Sequence, residues 1–477
     1  MRELIKESFI YKIIDKIFSI FDKQVENSCI VNAFLKEPAG EEVSRSSIFY
    51  KLWLHFHNFI CSIYEKLHLE KIFGGSIFTR TYFWCAITCV MTALLPTSII
   101  IVMVSVSVFS ILLAFARDRE MQLIFSPVNK YVFIYIVVYI FAIITSLSFK
   151  ESVLGGMVFV LFTFFGVAIQ WIIDSRKKLE DVIKFMVAIG AVISIYGIAQ
   201  YVSGMTGNME WIDTSMFDGI TMRVYATMLN PNVLAEYLIL ITPVAAACFM
   251  KEDNIKLKIM YAIAVLLLGI CMILTFSRGG WLGLLLAGVV FIVLMDKRFI
   301  LLGIVCLVAL YFILPDTIIN RFTSIGNLED SSTAYRVYIW IGTLSMLQDY
   351  WLCGTGFGEA SFEKVYPAYA LHAVSAPHSH NLFLQITAEA GIMALVMFVI
   401  ALFVFFRTTG RALKNTQDKK MRYILIGFIS SICGFLVQSM TDYTFYNYRV
   451  MLCFWIIISL GMIAARVCEK DSGGAQN

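Results

Sequence analysis

Residues 257–295 read LKIMYAIAVLLLGICMILTFSRGGWLGLLLAGVVFIVLM, two apolar runs joined by the short polar segment 275–282. Each run approaches the roughly 20 residues that a helix needs to cross a bilayer core. The polar segment is too short for an ordinary loop, so the pattern predicts two membrane helices that meet at Arg278. An arginine near hydrocarbon costs about 2.5 to 3.5 kcal/mol unless it reaches the interface or an anionic partner. Arg278 is therefore a candidate functional residue.

The composition of the whole chain agrees with this local pattern. Of 477 residues, 59% are hydrophobic and 15% are charged, with a mean hydropathy of +0.78. Such a composition excludes a water-soluble domain and predicts an all-α polytopic membrane protein of about twelve transmembrane helices. A long apolar run at the start is divided at Pro96, because proline interrupts a helix. The predicted spans are roughly residues 81–95, 98–116, 131–149, 152–173, 182–203, 232–250, 257–275, 279–295, 299–315, 381–406, 421–440 and 449–466.

Lysine and arginine alternate along the segments between these spans. With the N-terminus inside, 20 of them fall in inner segments after residue 80, seven fall in outer segments, and 11 lie in the first 80 residues. Because short cytoplasmic loops carry an excess of these residues, both termini are predicted to be cytoplasmic. The same orientation predicts that Arg223, Arg278 and His380 lie on the outer face.

The predicted domain organisation follows the spans. The first 80 residues lack the pattern of a cleavable signal peptide and mix charges with apolar residues at helical spacing, which favours amphipathic helices on the inner membrane surface. His55, His57 and His68 in this region are interpreted as interfacial or packing histidines. The predicted domains are a cytoplasmic N-terminal region 1–80, spans one to nine at 81–315, a large outer loop 316–380, spans ten to twelve at 381–466 and a cytoplasmic tail 467–477.

Charge and cysteine content exclude several classes of protein. The net charge of +4 is explained by cytoplasmic loops that meet anionic lipid, so the lipid bilayer is a predicted partner and nucleic acid is not. The 11 cysteines are mostly scattered singly in apolar spans, with no disulfide framework and no zinc spacing. No cofactor is predicted.

Two outer loops are long enough to carry chemistry: residues 204–231, with Arg223, and residues 316–380. The second contains a predicted amphipathic helix from about 330 to 348. The run Gly354, Gly356 and Gly358 follows no predicted strand, so backbone packing against membrane helices is favoured over nucleotide binding. The apolar positions assigned to the predicted helix are Val337, Trp340, Ile341, Leu344 and Leu347.

Each candidate residue of the outer loops has a simpler alternative role. Arg278 is alternatively a snorkelling anchor, Arg223 an ordinary loop residue and His380 a packing or capping histidine. Arg336 contacts either the substrate or a loop carboxylate. His378 and His380 with His372 form an alternative zinc site, but no adjacent cysteine or carboxylate completes the set, so no metal site is predicted.

Carboxylates near or within the spans are interpreted mainly as links between helices. Glu236 lies near the outer end of its predicted helix, and Glu389 lies nine residues after His380, about 13 Å along a helix axis. Glu389 is thus too deep to bond His380 along its own helix. Hydrogen bonding between helices is favoured for both, with the orientation of an arginine as the alternative. Asp442 is a further candidate partner.

Four short motifs, in this order along the chain, resemble the O-antigen ligase and polymerase superfamily of bacterial membrane glycosyltransferases. The resemblance covers roughly residues 77–465 and rests on the order and spacing of the motifs relative to the spans. The motifs are Met222-Arg223-Val224 with Asn230-Pro231-Asn232, then 277–282 with its Arg-x-x-x-Leu pattern, then Tyr335-Arg336 through Trp340, and finally His378-Ser379-His380-Asn381 with Glu389-Ala390-Gly391 beyond.

The resemblance implies a GT-C-like fold with a large extracytoplasmic loop domain in the plasma (inner) membrane. It implies transfer of a glycan from a polyprenyl (undecaprenyl) diphosphate carrier to an acceptor hydroxyl on a glycan, lipid or wall polymer. Arg223 and Arg278 suit a departing diphosphate, since guanidinium pairs phosphate oxygens bidentately. His380 is the candidate base. The reaction is expected to be metal-independent and inverting, with Arg336, His378, Asn381, Glu236 and Glu389 as candidate supporting residues.

Two other function classes remain compatible with a twelve-span chain. One is a transporter of an organic or inorganic anion, although no internal repeat of interrupted segments favours it. The other is a lipid-linked glycan flippase, which would bind the same donor without needing His380. Ligase and polymerase are not separated by the sequence, and neither are the sugar and the acceptor.

Overall fold

The computed structural model of the protein describes residues 48–121, 126–205, 222–301, 303, 305, 311–312, 315–323 and 331–473. Over these residues all regular structure is helical, which confirms the all-α prediction. The predictions for residues 1–47 and for most of the loop 204–231 lie outside the described residues.

Sixteen α-helices are labelled here in chain order among the described residues. They are α1 Ile48–Lys66, α2 Leu69–Phe73, α3 Thr81–Met91, α4 Thr97–Arg117, α5 Asn129–Ile144, α6 Phe149–Ile172, α7 Arg176–Val202, α8 Pro231–Lys251, α9 Ile255–Leu274, α10 Arg278–Asp296, α11 Asp316–Thr323, α12 Ser331–Tyr350, α13 Glu359–Val365, α14 Leu382–Asn415, α15 Lys419–Ser439 and α16 Tyr448–Gly473.

Nine helices of the described part of the chain are long and apolar enough to cross a membrane: α4, α6 to α10 and α14 to α16. The shorter apolar helices α3 and α5 coincide with two further predicted spans. The division at Pro96 is confirmed, because α3 ends at Met91 and α4 begins at Thr97. The predicted span 299–315 lies mostly outside the described residues, so the count of twelve stays a prediction. The chain is an integral membrane protein.

Among the described residues, 48–74 and 115–121 form one compact unit, and the remaining described residues from 75 to 473 form another. In the first unit, α1 carries His57, whose ring stacks on Phe115 with the ring centroids 4.0 Å apart. The His57 Nε2 atom also lies 2.9 Å from the Phe115 carbonyl oxygen. His57 therefore has the packing role predicted for it. The placement of this region at the inner membrane surface stays a prediction.

Small residues bring α8, α10 and α15 close together in the second unit. A Cβ atom on Gly283 of α10 would lie 2.7 Å from the carbonyl oxygen of Gly434 on α15, so the two backbones touch. Near the start of α10, a Cβ atom on Gly280 would lie 2.6 Å from Cβ of Ala235 in α8. Close approach at small residues is typical of membrane helix pairs. It brings the first turns of α8 and α10 side by side.

The described residues between α11 and α14 include two helices, α12 and α13, and they form a small apolar core together with Ala388 of α14. The prediction of a helix from about 330 to 348 agrees with α12, but its buried face differs from the predicted one. Ile339 and Met346 are buried, whereas Ile341 and Leu344 are exposed. Gly342 explains the shift, since its lack of a side chain lets Tyr366 pack against the backbone of α12. Buried members of this core are Ile339, Met346, Phe362, Val365, Tyr366, Ala376 and Ala388.

Helix α14 is broken at Gly391, whose φ angle of 76° is in the left-handed region. Backbone N–H groups of Thr355 and Gly356 donate to the carbonyl oxygens of Ala388 and Glu389, at 2.7 and 3.1 Å. These bonds satisfy groups that the break frees. The glycine run thus packs its backbone against a membrane helix, as predicted.

Candidate functional site

Arg223 lies in an irregular segment beside the first turn of α8. Its Nε donates to the carbonyl oxygen of Thr275 at 2.9 Å, and an Nη atom donates to Oδ1 of Asn232 at 2.8 Å. Burial and, to a smaller extent, the charges of neighbouring arginines lower the pKa of Arg223 to about 9. The side chain still carries its charge at neutral pH. The loop residue proposed from sequence is therefore held between the start of α8 and the end of α9.

Arg278 is the first residue of α10 and stands four residues after the end of α9. The turn before it is tight, because Phe276 has a left-handed φ angle of 49°. The indole N–H of Trp281 donates to the carbonyl oxygen of Met272 at 3.1 Å and ties the two helices together. Arg278 is close enough to Arg223 for its charge to act on that side chain. The predicted meeting of two membrane helices at Arg278 is confirmed.

Two further arginines complete a positive cluster around Arg223. Arg336 on α12 and Arg321 on α11 both act electrostatically on Arg223, as Arg278 does. Arg336 also donates from Nε to the carbonyl oxygen of Thr441 at 2.9 Å. Four guanidinium groups near one another repel, so a site of this kind favours an anion that neutralises them.

Arg321 was not a candidate from the sequence, although the structure buries it within this cluster. A local feature of the sequence indicates that Arg321 is partly buried. Arg321 lies three residues after Ile318 and next to Phe322, so it shares a face of α11 with an apolar residue. An arginine in such a position is partly buried unless its helix is free in solvent.

His380 faces Asp442, a residue of the turn between α15 and α16. The His380 Nδ1 atom lies 3.1 Å from Oδ1 of Asp442. Burial opposes the charged form of Asp442, but the hydrogen bond and charge of His380 and the charge of Arg336 outweigh it. The net effect holds the pKa of the Asp442 carboxyl below its ordinary value. A carboxylate at Nδ1 places the proton of a neutral imidazole on that nitrogen, so Nε2 can accept a proton.

The backbone of His380 is also held in place. Its φ angle is 47°, which is uncommon for a residue other than glycine. The indole N–H of Trp340 on α12 donates to its carbonyl oxygen at 3.2 Å. The ring of Tyr335 contacts the imidazole edge-on, with 5.7 Å between centroids. These contacts fix the imidazole between α12 and the turn that carries Asp442.

His378 and Asn381 have supporting positions beside His380. The backbone N–H of His380 donates to Nδ1 of His378 at 3.3 Å, and the two rings are 4.2 Å apart. Burial and the nearby charge of His380 lower the pKa of His378 to about 3, so His378 is neutral at physiological pH. Asn381 caps α14, since its side chain accepts from the N–H groups of Phe383 and Leu384. Its amide also donates to the carbonyl oxygen of Met440 at 2.8 Å.

Asn232 and Asp442 join the arginines to His380. Asn232 accepts from Arg223 and donates from Nδ2 to Oδ2 of Asp442 at 3.4 Å. An Nη atom of Arg336 lies 3.9 Å from the same carboxylate oxygen. The sequence indicates Asp442 only as a further candidate partner for helices or arginines. The structure makes it the residue that connects the imidazole to the positive cluster.

Neither intramembrane glutamate is hydrogen-bonded to His380 or Asp442 in the part of the chain that the structure describes. Glu389 accepts from Tyr139, Tyr443, Gln385 and the N–H of Gly358, at 3.1 to 3.3 Å. It therefore links several helices and makes no bond to His380, as the helix spacing predicted.

Glu236 is buried in α8, where the charge of Asp442 acts on it. Among the described residues, its Oε2 has no hydrogen-bond partner.

The zinc alternative lacks its third histidine. The ring of His372 packs on Tyr338 at 4.9 Å between centroids, whereas His378 and His380 contact each other. Among the residues that the structure describes, no group of three or more His, Cys, Asp or Glu side chains could hold a metal ion.

Comparison with known proteins gives one family match and two similar proteins. Residues 263–399 match the family model described as O-Antigen ligase. Over 231 residues the chain is 24% identical to a Rickettsia typhi protein named "Putative polysaccharide ligase", covering 45% of this chain and 54% of that protein. A Rickettsia prowazekii protein of the same name is 23% identical over the same shares. The chain thus spans about half the length of these curated relatives.

The family match extends from α9 into α14 and includes three of the four arginines of the cluster as well as both histidines. Arg223 and Asp442 lie outside the matched residues, and the fold brings them into contact with the same site. The chain is an integral membrane protein whose residues 263–399 match the O-antigen ligase family, which is the resemblance that its short motifs indicate.

Proposed function

We propose that the protein is a polysaccharide ligase or polymerase that moves a glycan from a polyprenyl diphosphate carrier to an acceptor hydroxyl. The observation that carries this proposal is a single connected site, in which His380 bonds Asp442 beside the cluster Arg223, Arg278, Arg321 and Arg336. The match of residues 263–399 to the O-antigen ligase family model and the names of the two relatives support it.

The arginine cluster suits the leaving group of this reaction. As the anomeric C–O bond breaks, negative charge grows on the departing diphosphate, and prepositioned positive groups stabilise that charge. Arg223 is held by Thr275 and Asn232, so its guanidinium does not have to be ordered when the donor binds. Four guanidinium groups at the place of the diphosphate perform the task that a divalent metal performs in many transferases. We propose that transfer is metal-independent.

His380 suits the acceptor side of the reaction. The attacking hydroxyl loses its proton as it bonds to the anomeric carbon, and Nε2 of His380 can take that proton while Asp442 stabilises the resulting imidazolium. Attack in line with the departing diphosphate inverts the anomeric configuration. His378 is neutral, so it adds no competing positive charge next to His380.

We propose that the site lies at the outer face of the plasma membrane, with both termini cytoplasmic. The support is the distribution of lysine and arginine, which places 20 of these residues in the inner segments after residue 80 and seven in the outer ones. All the ends of helices that form the site, namely the starts of α8, α10, α14 and α16, belong to one end of the bundle.

The test is glycan transfer by the full chain in liposomes, with polyprenyl-diphosphate oligosaccharide as both donor and acceptor and EDTA present. We expect the wild type to release polyprenyl diphosphate, and His380→Ala and Arg278→Ala to abolish release. His372→Ala is the matched histidine control, because His372 packs on Tyr338 outside the site. Arg411→Ala is the arginine control, in an exposed position far along α14.

The same preparation separates the competing functions. A flippase would move the carrier across the bilayer with His380→Ala as well as with the wild type. A transporter would accumulate an anion without releasing polyprenyl diphosphate. Either result, with no release by the wild type, would refute the proposed transfer.

A further inference from the structure

A cavity of about 470 Å³ lies next to the site, at the same end of the bundle. It is partly open, and it is bordered by the first turns of α4, α6 and α13 and by the turn between α15 and α16. Its volume is within the range of about 300 to 1,000 Å³ that is usual for small-molecule sites. Nothing in the transfer step described above uses it.

The lining of the cavity is acidic and aromatic. Glu151, Glu359 and Glu389 contribute carboxylates, and Tyr446 and Tyr448 contribute aromatic rings with hydroxyl groups. None of the described residues that line it is lysine or arginine. Glu389 is already bonded to four neighbours, whereas the exposed Glu359 is bonded to Tyr446 alone among the contacts of the cavity lining. Glu151 and Glu359 are therefore the carboxylates that a ligand would meet.

Contacts connect the cavity to the candidate base. Tyr446 and Tyr443, which line the cavity, pack on His378 with ring centroids 5.2 and 5.5 Å apart. The His378 ring in turn contacts His380. The arginines reach His380 by a different route, through Asn232 and Asp442. A ligand in the cavity therefore approaches His380 from a side that the diphosphate does not need.

The surface chemistry of the cavity fits a sugar ring. Tyrosine rings cover the apolar C–H face of a pyranose, and their hydroxyls and the carboxylates bond its hydroxyl groups. Hydrogen bonds to a carboxylate are stronger than neutral ones. A ring that carries its own carboxylate would meet Glu151 and Glu359 without a cation to offset the repulsion.

We propose that this cavity binds a sugar ring of the acceptor glycan and selects rings that are neutral or amine-bearing over acidic ones. The assignment of the bound sugar to the acceptor rests on the proposed function, but the binding itself does not require transfer. Tyr446, half-exposed at the cavity and in contact with His378, is assigned as the residue that places the bound ring toward His380.

The test is binding of methyl glycosides to the full chain in nanodiscs, measured by saturation-transfer NMR without donor. The probes are a methyl glucoside, a methyl glucosaminide and a methyl glucuronide, at millimolar concentration. We expect the glucoside and the glucosaminide to bind roughly 10-fold more tightly than the glucuronide. A difference of this size corresponds to about one repulsive contact between like charges. The double change Glu151→Gln with Glu359→Gln should reduce that ratio to about 3-fold or less.

Two further variants distinguish binding from folding. Tyr446→Ala should weaken all three probes, whereas Tyr446→Phe should keep most of the binding because the ring remains. Asp349→Asn is the matched charge control, since Asp349 is an exposed acid of α12 outside the cavity. It should leave the selectivity of wild type unchanged.

The outcomes separate this inference from the proposed function. Absence of binding by any probe, or glucuronide binding as tight as glucoside binding, would overturn the sugar site even if transfer is observed. Selective binding that depends on Glu151 and Glu359 would support the site, and it would do so even if the liposome assay showed no transfer and the proposed function failed.

Discussion

Replacing Asp442 by asparagine removes one charge from the centre of the site and keeps its shape. In the structure the carboxylate accepts from Nδ1 of His380 at 3.1 Å and lies near Arg336. An asparagine amide would turn its NH₂ group toward one of these donors, whichever way it is oriented. If it faces His380, Nδ1 becomes the acceptor and the imidazole proton moves to Nε2, where the acceptor hydroxyl should lose its own proton.

The size of the effect follows from the bond that is lost. A hydrogen bond between an imidazole and a carboxylate contributes about 1.5 to 3 kcal/mol. Because about 1.36 kcal/mol is a factor of ten in rate, Asp442→Asn should lower kcat roughly 10- to 150-fold. The KM for the donor should change little, since Arg223 keeps its bonds to Thr275 and Asn232.

The assay is the initial rate of polyprenyl diphosphate release in liposomes, over a range of donor concentrations. Asp253→Asn is the matched control, because Asp253 is an exposed acid in the turn between α8 and α9. A folded Asp442→Asn protein with kcat equal to the wild type would refute the assignment of Asp442 as the partner of the base. A large rise in KM with unchanged kcat would move Asp442 to donor binding instead.

Three further outcomes are expected. Arg321→Ala should reduce donor turnover at low donor concentration roughly 10-fold, the loss of about one charged hydrogen bond, and Arg321→Lys should restore part of it in the same assay. Gly391→Ala should strongly lower the thermal midpoint in detergent, since a left-handed φ angle in alanine costs about 1 to 3 kcal/mol and the added Cβ would meet the Leu352 carbonyl. Gly410→Ala is the control and should leave the midpoint unchanged, because Gly410 has open space around it. The pKa of Asp442 is lowered in the folded protein, so its contribution to stability is present above its ordinary pKa and is lost as pH falls through the folded value. The difference in thermal midpoint between wild type and Asp442→Asn should therefore shrink from pH 5 to pH 3, and a difference that stays constant over that interval would contradict the lowered pKa.

Much of the helical framework follows from the sequence, because membrane spans are recognisable by their length and hydropathy. Residues 257–295 are an example, in which the break at 275–277 and the start of α10 at Arg278 agree with the polar segment between the runs. Proline at position 96 marked a helix start in the same way. Such features are local, and a single chain contains the information that decides them.

The parts that sequence reasoning missed depend on contacts between distant residues. Asp442 meets His380 across 62 positions and Asn232 across 210. Spacing along one chain does not predict such pairs, so Asp442 was only one of several carboxylates near a helix end. The buried face of α12 was misassigned for a similar reason, since Tyr366 selects the face that contains Gly342 and no periodic pattern records that contact.

The broken helix α14 has a consequence for exchanging parts between related proteins. Residues 351–356 bond to both sides of the break, since Ile392 donates to Trp351 while Thr355 and Gly356 donate to Ala388 and Glu389. The ends of the stretch 351–392 are therefore joined by backbone hydrogen bonds, and His380 lies within this stretch. A graft that replaced only the connecting residues would leave mismatched donors and acceptors at that junction. A chimera that takes the whole stretch as one cassette would transfer the imidazole together with the backbone that positions it.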